Sequence, residues 1–207
     1  MQQFVELHAI AAPLDERNLD TNQLCPTRFN KIPRSDPDYQ RILFNNQRFD
    51  AHGQPTDHFL NLEPWCGAGI LVADENFGCG SSRESAVYAL LAFGIRCVIA
   101  PSFGDIFFSN SLKNGLLPVR LSAARCDQLR AMLHAQPGTT LQVDLPGQRV
   151  VAPDGVEDQF EIEAQHKRCL LEGLDDVDLT LERGDRIQAF EARYKPGRPW
   201  VYRGASV

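Results

Sequence analysis

Three short, largely apolar runs, separated by helix-period stretches that close on glycine, constrain this chain more than any other feature. Ala68–Ala73 is a continuous apolar segment of the kind that a strand buried on both faces requires. From Arg83 to Phe93 the residues Ala86, Leu90 and Phe93 fall on one helical stripe, and Gly94 stands where a C-terminal cap belongs. Arg96–Ala100 reads as a second buried strand. Ser102 then opens a helix through Asp105, Phe108 and Leu112 that Asn114 and Gly115 close. Leu116–Leu121 is a third strand, and Ser122 caps a helix running to Ala135. Strand and helix in alternation predict an α/β fold in layers, with room for a barrel-like sheet.

The pattern then changes. Thr140–Val151 predicts a hairpin across Pro146 and Gly147, Gln159–Glu163 alternates like a half-buried strand, and helices are expected over Lys167–Glu172 and Arg183–Tyr194. Two stretches escape any period. Residues 26–57 carry Pro26, Pro33, Pro37 and Gly53 with several arginines, an excursion long enough to be functional. The tail, residues 195–207, carries Lys195, Arg198 and Arg203 without an opposing acid, and Trp200 and Tyr202 suit it to docking. We expect one domain over residues 1–194.

The 207 residues include 21 Lys plus Arg against 27 Asp plus Glu, a net charge of −6 that argues against coating nucleic acid. No apolar run approaches the roughly 20 residues of a membrane crossing, and the N-terminus lacks an export signal, so a cytoplasmic location is expected. Cysteines 25, 66, 79, 97, 126 and 169 are scattered without a C-x-x-C pair, so no metal site built by this chain alone is expected. The histidines at 8, 52, 58, 134 and 166 are expected at the surface.

Chemistry is expected where the first buried strand turns into the first helix, over Asp74–Glu84. Gly78 and Gly80 let backbone N–H groups turn inward, the helix N-terminus lies behind them, and Arg83 adds a forked donor for a carboxylate. No lysine follows a glycine as a P-loop needs, the third small residue of the dinucleotide fingerprint is missing, and no G-x-S-x-G elbow exists. Ser81-x-x-Glu84 equally spells a capping box, in which the serine only satisfies a helix N–H. A Cys79 thiolate is a rival nucleophile, but no histidine lies near it in sequence.

The string Asn76-Phe77-Gly78-Cys79-Gly80-Ser81-Ser82-Arg83-Glu84 closely resembles the signature of the small subunits of bacterial 3-isopropylmalate dehydratase. Similar family features follow in collinear order. They are Pro13-Leu14-Asp15 with Asp20-Thr21, Leu43-Phe44-Asn45 with Arg48-Phe49, Val98–Phe103, Asp105–Phe107, Asn114–Pro118, and Gly173–Asp175 with Leu179–Leu181. The resemblance implies a β/β/α swivelling domain like the C-terminal domain of aconitase, working beside a large subunit that holds a [4Fe–4S] cluster. No cofactor is then expected on this chain.

The implied reaction isomerises 2-isopropylmalate and 3-isopropylmalate in leucine biosynthesis, by dehydration and rehydration of a small dicarboxylic acid. By resemblance Ser81 is the base, Arg83 binds a substrate carboxylate, Ser82 and Gly80 lie beside them, and Asp20, Thr21, Asn22, Cys79 and Glu84 support the site. The excursion over 26–57 corresponds to the loop that covers the site, and Arg48 is expected as a second carboxylate contact. The chain departs from the family's usual pattern at Asn22, where an aspartate is common, at Ser85, where a histidine is, and at Val87-Tyr88 in place of Pro-Trp. These departures keep two alternatives open: a protein acting on another 2-substituted malate or a citraconate-like acid, and a non-catalytic paralogue that retains the partner surface.

Overall fold

The computed structural model describes residues 1–80 and 82–202. In chain order these form β1 (Glu6–Leu14), α1 (Thr21–Leu24), α2 (Asn45–Arg48), β2 (Ile70–Ala73), α3 (Ser85–Phe93), β3 (Cys97–Ala100), α4 (Asp105–Asn114), β4 (Leu117–Arg120), α5 (Ala123–Ala135), β5 (Thr140–Asp144), β6 (Arg149–Val151), β7 (Glu157–Gln159), α6 (Ala164–Glu172), α7 (Asp176–Leu181) and α8 (Gly184–Gly197). None of these helices is long and apolar enough to cross a membrane.

The strands line up as β4-β3-β2-β1-β5-β6-β7. β1 is the hinge of this sheet. Its second half, Ala11–Leu14, pairs in parallel with β2, while its first half, Glu6–Ile10, pairs antiparallel with β5. β2, β3 and β4 continue in parallel on one side, and β5, β6 and β7 form an antiparallel arm on the other. The layered α/β architecture is the one that the alternating sequence pattern predicts.

β1 itself is not readable as a strand from its sequence, because alanine and proline are poor strand formers. The ladder explains how Pro13 is tolerated. Ala11 donates its N–H to Thr139 on the β5 side, so the nitrogen of Pro13, two residues on, faces that same side just past the end of the β5 pairing. Pro118 sits in β4, at the edge of the sheet, where Leu117 donates inward to Arg96 and the proline nitrogen therefore faces outward.

β2 and β3 are buried throughout, as their unbroken apolar composition requires, and β4 is buried up to its last residue, Arg120. Leu71, Ala73, Val98 and Ala100 pack on one side with Ala86, Val87 and Leu90 of α3, with Leu24 of α1, with Leu43 and Phe44 of the excursion and with Leu60 just after it. Ile70, Val72, Cys97, Ile99 and Val119 pack on the other with Leu129 and Leu133 of α5 and Leu141 and Val143 of β5.

Several boundaries differ from the sequence reading. α3 starts at Ser85 rather than Arg83, and its N-cap residue, Glu84, makes no side-chain cap bond, so the capping box read from Ser81 and Glu84 is not how this helix begins. Ser102 does not open α4, whose N-cap is Gly104; its hydroxyl instead accepts the N–H of Asn76 at 2.8 Å. The strand expected over Gln159–Glu163 lies at Glu157–Gln159, because the short β6 leaves β7 only three pairing partners before Phe160 turns into the core. α7 has no counterpart in the sequence reading.

The chain divides into two compact units, Met1–Gly173 and Leu174–Val207, a division inside the span 1–194 expected as one domain. The first unit holds the whole sheet. In the second, Asp175 caps α7, and on α8 Lys195 pairs with Glu191 at 2.6 Å while Phe190 stacks on Tyr194. The tail expected from Lys195 begins as the last turn of α8, and its Arg203 lies outside the described residues.

Candidate active site

The turn from β2 to α3 is clamped between two neighbouring segments at the C-terminal ends of the parallel strands, where open α/β sheets place ligands. On one side Gly78 and Cys79 both donate their N–H groups to the carbonyl of Leu19, at 2.8 and 3.2 Å, and Thr21 donates back to the Cys79 carbonyl at 3.0 Å. On the other, Phe77 donates to Ser102 and Gly104 donates to Phe77. This corrects the expectation that the glycine-framed N–H groups of this turn face a ligand: those of residues 78 and 79 hold the turn to the β1 exit. Gly78 is required at its position, since its φ is +72° and any Cβ would enter the Phe107 ring.

Ser81, the expected base, lies outside the described residues. Its neighbours are placed. Gly80, at φ +89°, passes above Asp20, and Ser82 is exposed before the half-buried Arg83. Arg83 donates from Nη1 to the Thr27 hydroxyl at 2.9 Å. Among the described residues no carboxylate pairs with it. Thr27 is held in turn by Asn22, whose Oδ1 accepts both the Thr27 hydroxyl at 2.9 Å and the Thr27 N–H at 3.0 Å. The start of the excursion thus closes directly over the arginine.

The supporting residues divide by task. Asp20 caps α1 through the N–H groups of Asn22 and Gln23, at 2.7 and 2.8 Å, and Thr21 is buried against the turn. Glu84 accepts the Tyr88 hydroxyl at 2.5 Å, one helical turn on. Ser85 donates to Asn30 at 3.2 Å, and the Arg34 guanidinium lies 3.8 Å over the Tyr88 ring. Cys79 donates its thiol to the Asn18 carbonyl; burial and the nearby Asp20 charge push its pKa up, so a thiolate is disfavoured there. Cys25 is likewise pushed up by burial, against the opposing pull of Ser85 and Arg83.

Arg48, expected as a second carboxylate contact, is held by the loop itself. It is buried, with Nε on Asn61 Oδ1 at 2.9 Å and Nη1 on the carbonyls of Gln40 and Leu43. Burial and the neighbouring Arg41 lower its pKa to about 10. Its Nε and Nη1 donors are spent on folding the excursion back on itself, because a closed loop leaves inward carbonyls that need partners. His58, expected at the surface, is half-buried between Phe44 and Phe59 and caps the turn at Leu60. Burial, then the Arg48 charge, lower its pKa to about 4.

One feature of the site floor escaped the sequence reading altogether. Arg130 of α5 is buried, donates to the Ala73 carbonyl at 2.9 Å, and pairs with Asp74 at 3.0 Å and Asp15 at 3.1 Å. It therefore ties the ends of β1 and β2 together beneath the turn. Burial works to raise the Asp74 carboxyl, but the Glu75 N–H, Arg130 and Arg17 outweigh it and hold the group below the usual carboxylate range. No sequence signal links positions so far apart.

Among the described residues no group of three or more His, Cys, Asp or Glu side chains is arranged to hold a metal ion. Cys25, Cys97 and Cys126 are buried free thiols, and Cys169 is buried as well.

Comparison with known proteins agrees with this architecture along the chain. Residues 1–124 match the aconitase C-terminal domain family, residues 127–164 the family described as LeuD_N, and residues 176–203 the C-terminal domain of the 3-isopropylmalate dehydratase small subunit. The 3-isopropylmalate dehydratase small subunit of Magnetococcus marinus is 46% identical over 213 aligned residues, covering 98% of this chain and 99% of that protein. The crystal structure of 3-isopropylmalate dehydratase from Methanocaldococcus jannaschii superposes with a TM-score of 0.62 at 25% identity, covering 90% of this chain and 99% of that one. A half-parallel, half-antiparallel sheet with a glycine-serine-arginine turn at its parallel end, matched over nearly its full length, places this chain in the family of 3-isopropylmalate dehydratase small subunits, hydro-lyase components of the aconitase type.

Proposed function

We propose that this chain, assembled with a cluster-bearing large subunit, interconverts 2-isopropylmalate and 3-isopropylmalate by elimination and re-addition of water, as a step of leucine biosynthesis in the cytoplasm. The carrying observation is Arg83. It is a half-buried cation fixed at one end by a neutral hydroxyl and left without a carboxylate among the described residues, which suits it to an acidic substrate. A buried or half-buried arginine without a counter-ion is costly, and a bound carboxylate removes that cost.

In this reading Arg83 grips one substrate carboxylate by a forked pair of hydrogen bonds. Ser81, two residues before it, takes the proton from the carbon beside a carboxylate. The electron pair of that C–H bond forms the alkene as the C–O bond of the neighbouring carbon breaks and its hydroxyl departs. Water then adds in the opposite sense to give the isomer. A serine is a weak base unless negative charge on its oxygen is stabilised, and Arg83 with the N-terminus of α3 supplies positive potential at that turn. When bound to the large subunit, a [4Fe–4S] cluster supplies the Lewis acid that the departing hydroxyl needs. Ser82 and Gly80 line the approach, and Asp20, Thr21, Asn22, Cys79 and Glu84 shape the turn. The excursion over 26–57 covers it, with Arg48 holding that loop in shape.

The test is the Arg83→Gln variant in the reconstituted complex. Loss of a charged hydrogen-bonding pair, about 1.5–3 kcal/mol, predicts a KM for isopropylmalate raised roughly 10- to 100-fold. An unchanged KM would remove the arginine from the substrate and the proposal with it.

A further inference from the structure

The contacts of residues 27–34 suggest a role for the start of the excursion that goes beyond covering the site. Thr27 reaches Arg83, Asn30 receives the Ser85 hydroxyl, and Arg34 lies over the Tyr88 ring, so three successive contacts seat this stretch on Arg83 and the first turns of α3 that follow it. The first of them is directional. A threonine hydroxyl has one proton to give and two lone pairs to offer. The proton of Thr27 is committed to Asn22 Oδ1 at 2.9 Å, so a lone pair faces Arg83 Nη1, also at 2.9 Å. The same Asn22 oxygen accepts the Thr27 N–H, which fixes the backbone as well as the side chain.

We propose that Thr27 is a positioning residue for substrate binding: it holds one edge of the Arg83 guanidinium so that the remaining donors present a fixed fork to a substrate carboxylate, and Asn22 sets the direction of the Thr27 hydroxyl. This rests on the reading of Arg83 as the carboxylate-binding group. An arginine side chain carries several rotatable bonds, and one held by a hydrogen bond before substrate arrives loses less freedom on binding. The chain Asn22–Thr27–Arg83 is neutral apart from the arginine itself, so it orients the cation without cancelling its charge. An acidic side chain in the place of Thr27 would hold the guanidinium equally well but would compete with the substrate for it.

The experiment compares Thr27→Val, Thr27→Ser and Arg83→Gln in the complex with the large subunit, with KM and kcat measured separately and thermal melting recorded for each. Valine keeps the shape of threonine and removes only the hydroxyl, and the site is exposed in this chain. The expected result is a KM about tenfold higher in Thr27→Val with kcat within about twofold, near wild-type KM in Thr27→Ser, and a melting temperature close to wild type in both. A merely structural Thr27 would shift the melting temperature and leave KM alone, which overturns the inference. So would equal KM values for valine and serine. If Arg83→Gln raises KM while Thr27→Val does not, only the positioning role fails. If Arg83→Gln leaves KM unchanged, the reading of Arg83 fails and this inference with it.

Discussion

Gly78 and His58 show how far single residues in this protein are governed by their surroundings. At Gly78 the left-handed backbone and the Phe107 ring both forbid a side chain. Gly78→Ala is expected to cost about 2–5 kcal/mol, the sum of a left-handed penalty and overpacking, seen as a lower urea midpoint. At His58 the depressed folded-state pKa means that the unfolded chain takes up the proton first as pH falls. The contribution to stability is therefore intact above pH 6.5 and is lost as pH falls towards about 4. His58→Asn keeps a capping acceptor for Leu60 while removing the titration, and a shallower fall in urea midpoint between pH 7 and pH 4.5 is the expected outcome. The sequence made Arg83 legible, because its motif lies in one continuous turn. It named Asn22 as a supporting residue but hid Thr27, through which Asn22 reaches Arg83, because that link exists only once β1 and β2 lie side by side. It placed His58 at the surface because an isolated polar residue beside a proline-rich stretch reads so, and gave Arg48 to the substrate, whereas the loop has an interior of its own that holds both.

The elements were legible in proportion to how strongly one local rule determined each of them. β2, β3 and β4 are apolar runs and were readable directly, and α5, capped by Ser122 on the Arg125 N–H, has the expected limits. The hairpin of β5 and β6 was readable from its Pro146-Gly147 turn, which Asp144 closes by accepting the Gly147 N–H. β1 was not, since its central place depends on partners rather than on propensity, and its second half is tolerant of proline only because the β5 pairing stops first. The joint between β1 and β2 is also where the fold is most exposed to a single change. Arg130 is the buried partner of Asp74 and Asp15, and truncating it leaves the buried Asp74 carboxylate with only the largely exposed Arg17 and the Glu75 N–H. Arg130→Ala is expected to destabilise by about 3–5 kcal/mol, read as a shift of the urea midpoint at unchanged m-value. Activity should fall with it, because the turn carrying Arg83 starts from the strand that Arg130 pins.

At the scale of the molecule, one sheet presents the turn and, in the function proposed for this chain, another polypeptide completes the chemistry. The parallel half, backed on both faces, gives a rigid floor; the excursion, folded around Arg48, closes over Arg83 from the side. This division of labour predicts that the isolated chain binds substrate weakly and turns nothing over, and that activity appears on mixing with the large subunit in proportion to complex formed. The most direct test of the central claim, that this chain supplies the proton-abstracting group, is the turnover of a complex containing Ser81→Ala. Assembly should be unchanged by gel filtration, with KM near wild type and kcat lower by roughly 10²–10⁴-fold, the usual contribution of a positioned base. A fully assembled Ser81→Ala complex that turns over isopropylmalate at the wild-type rate would contradict the account.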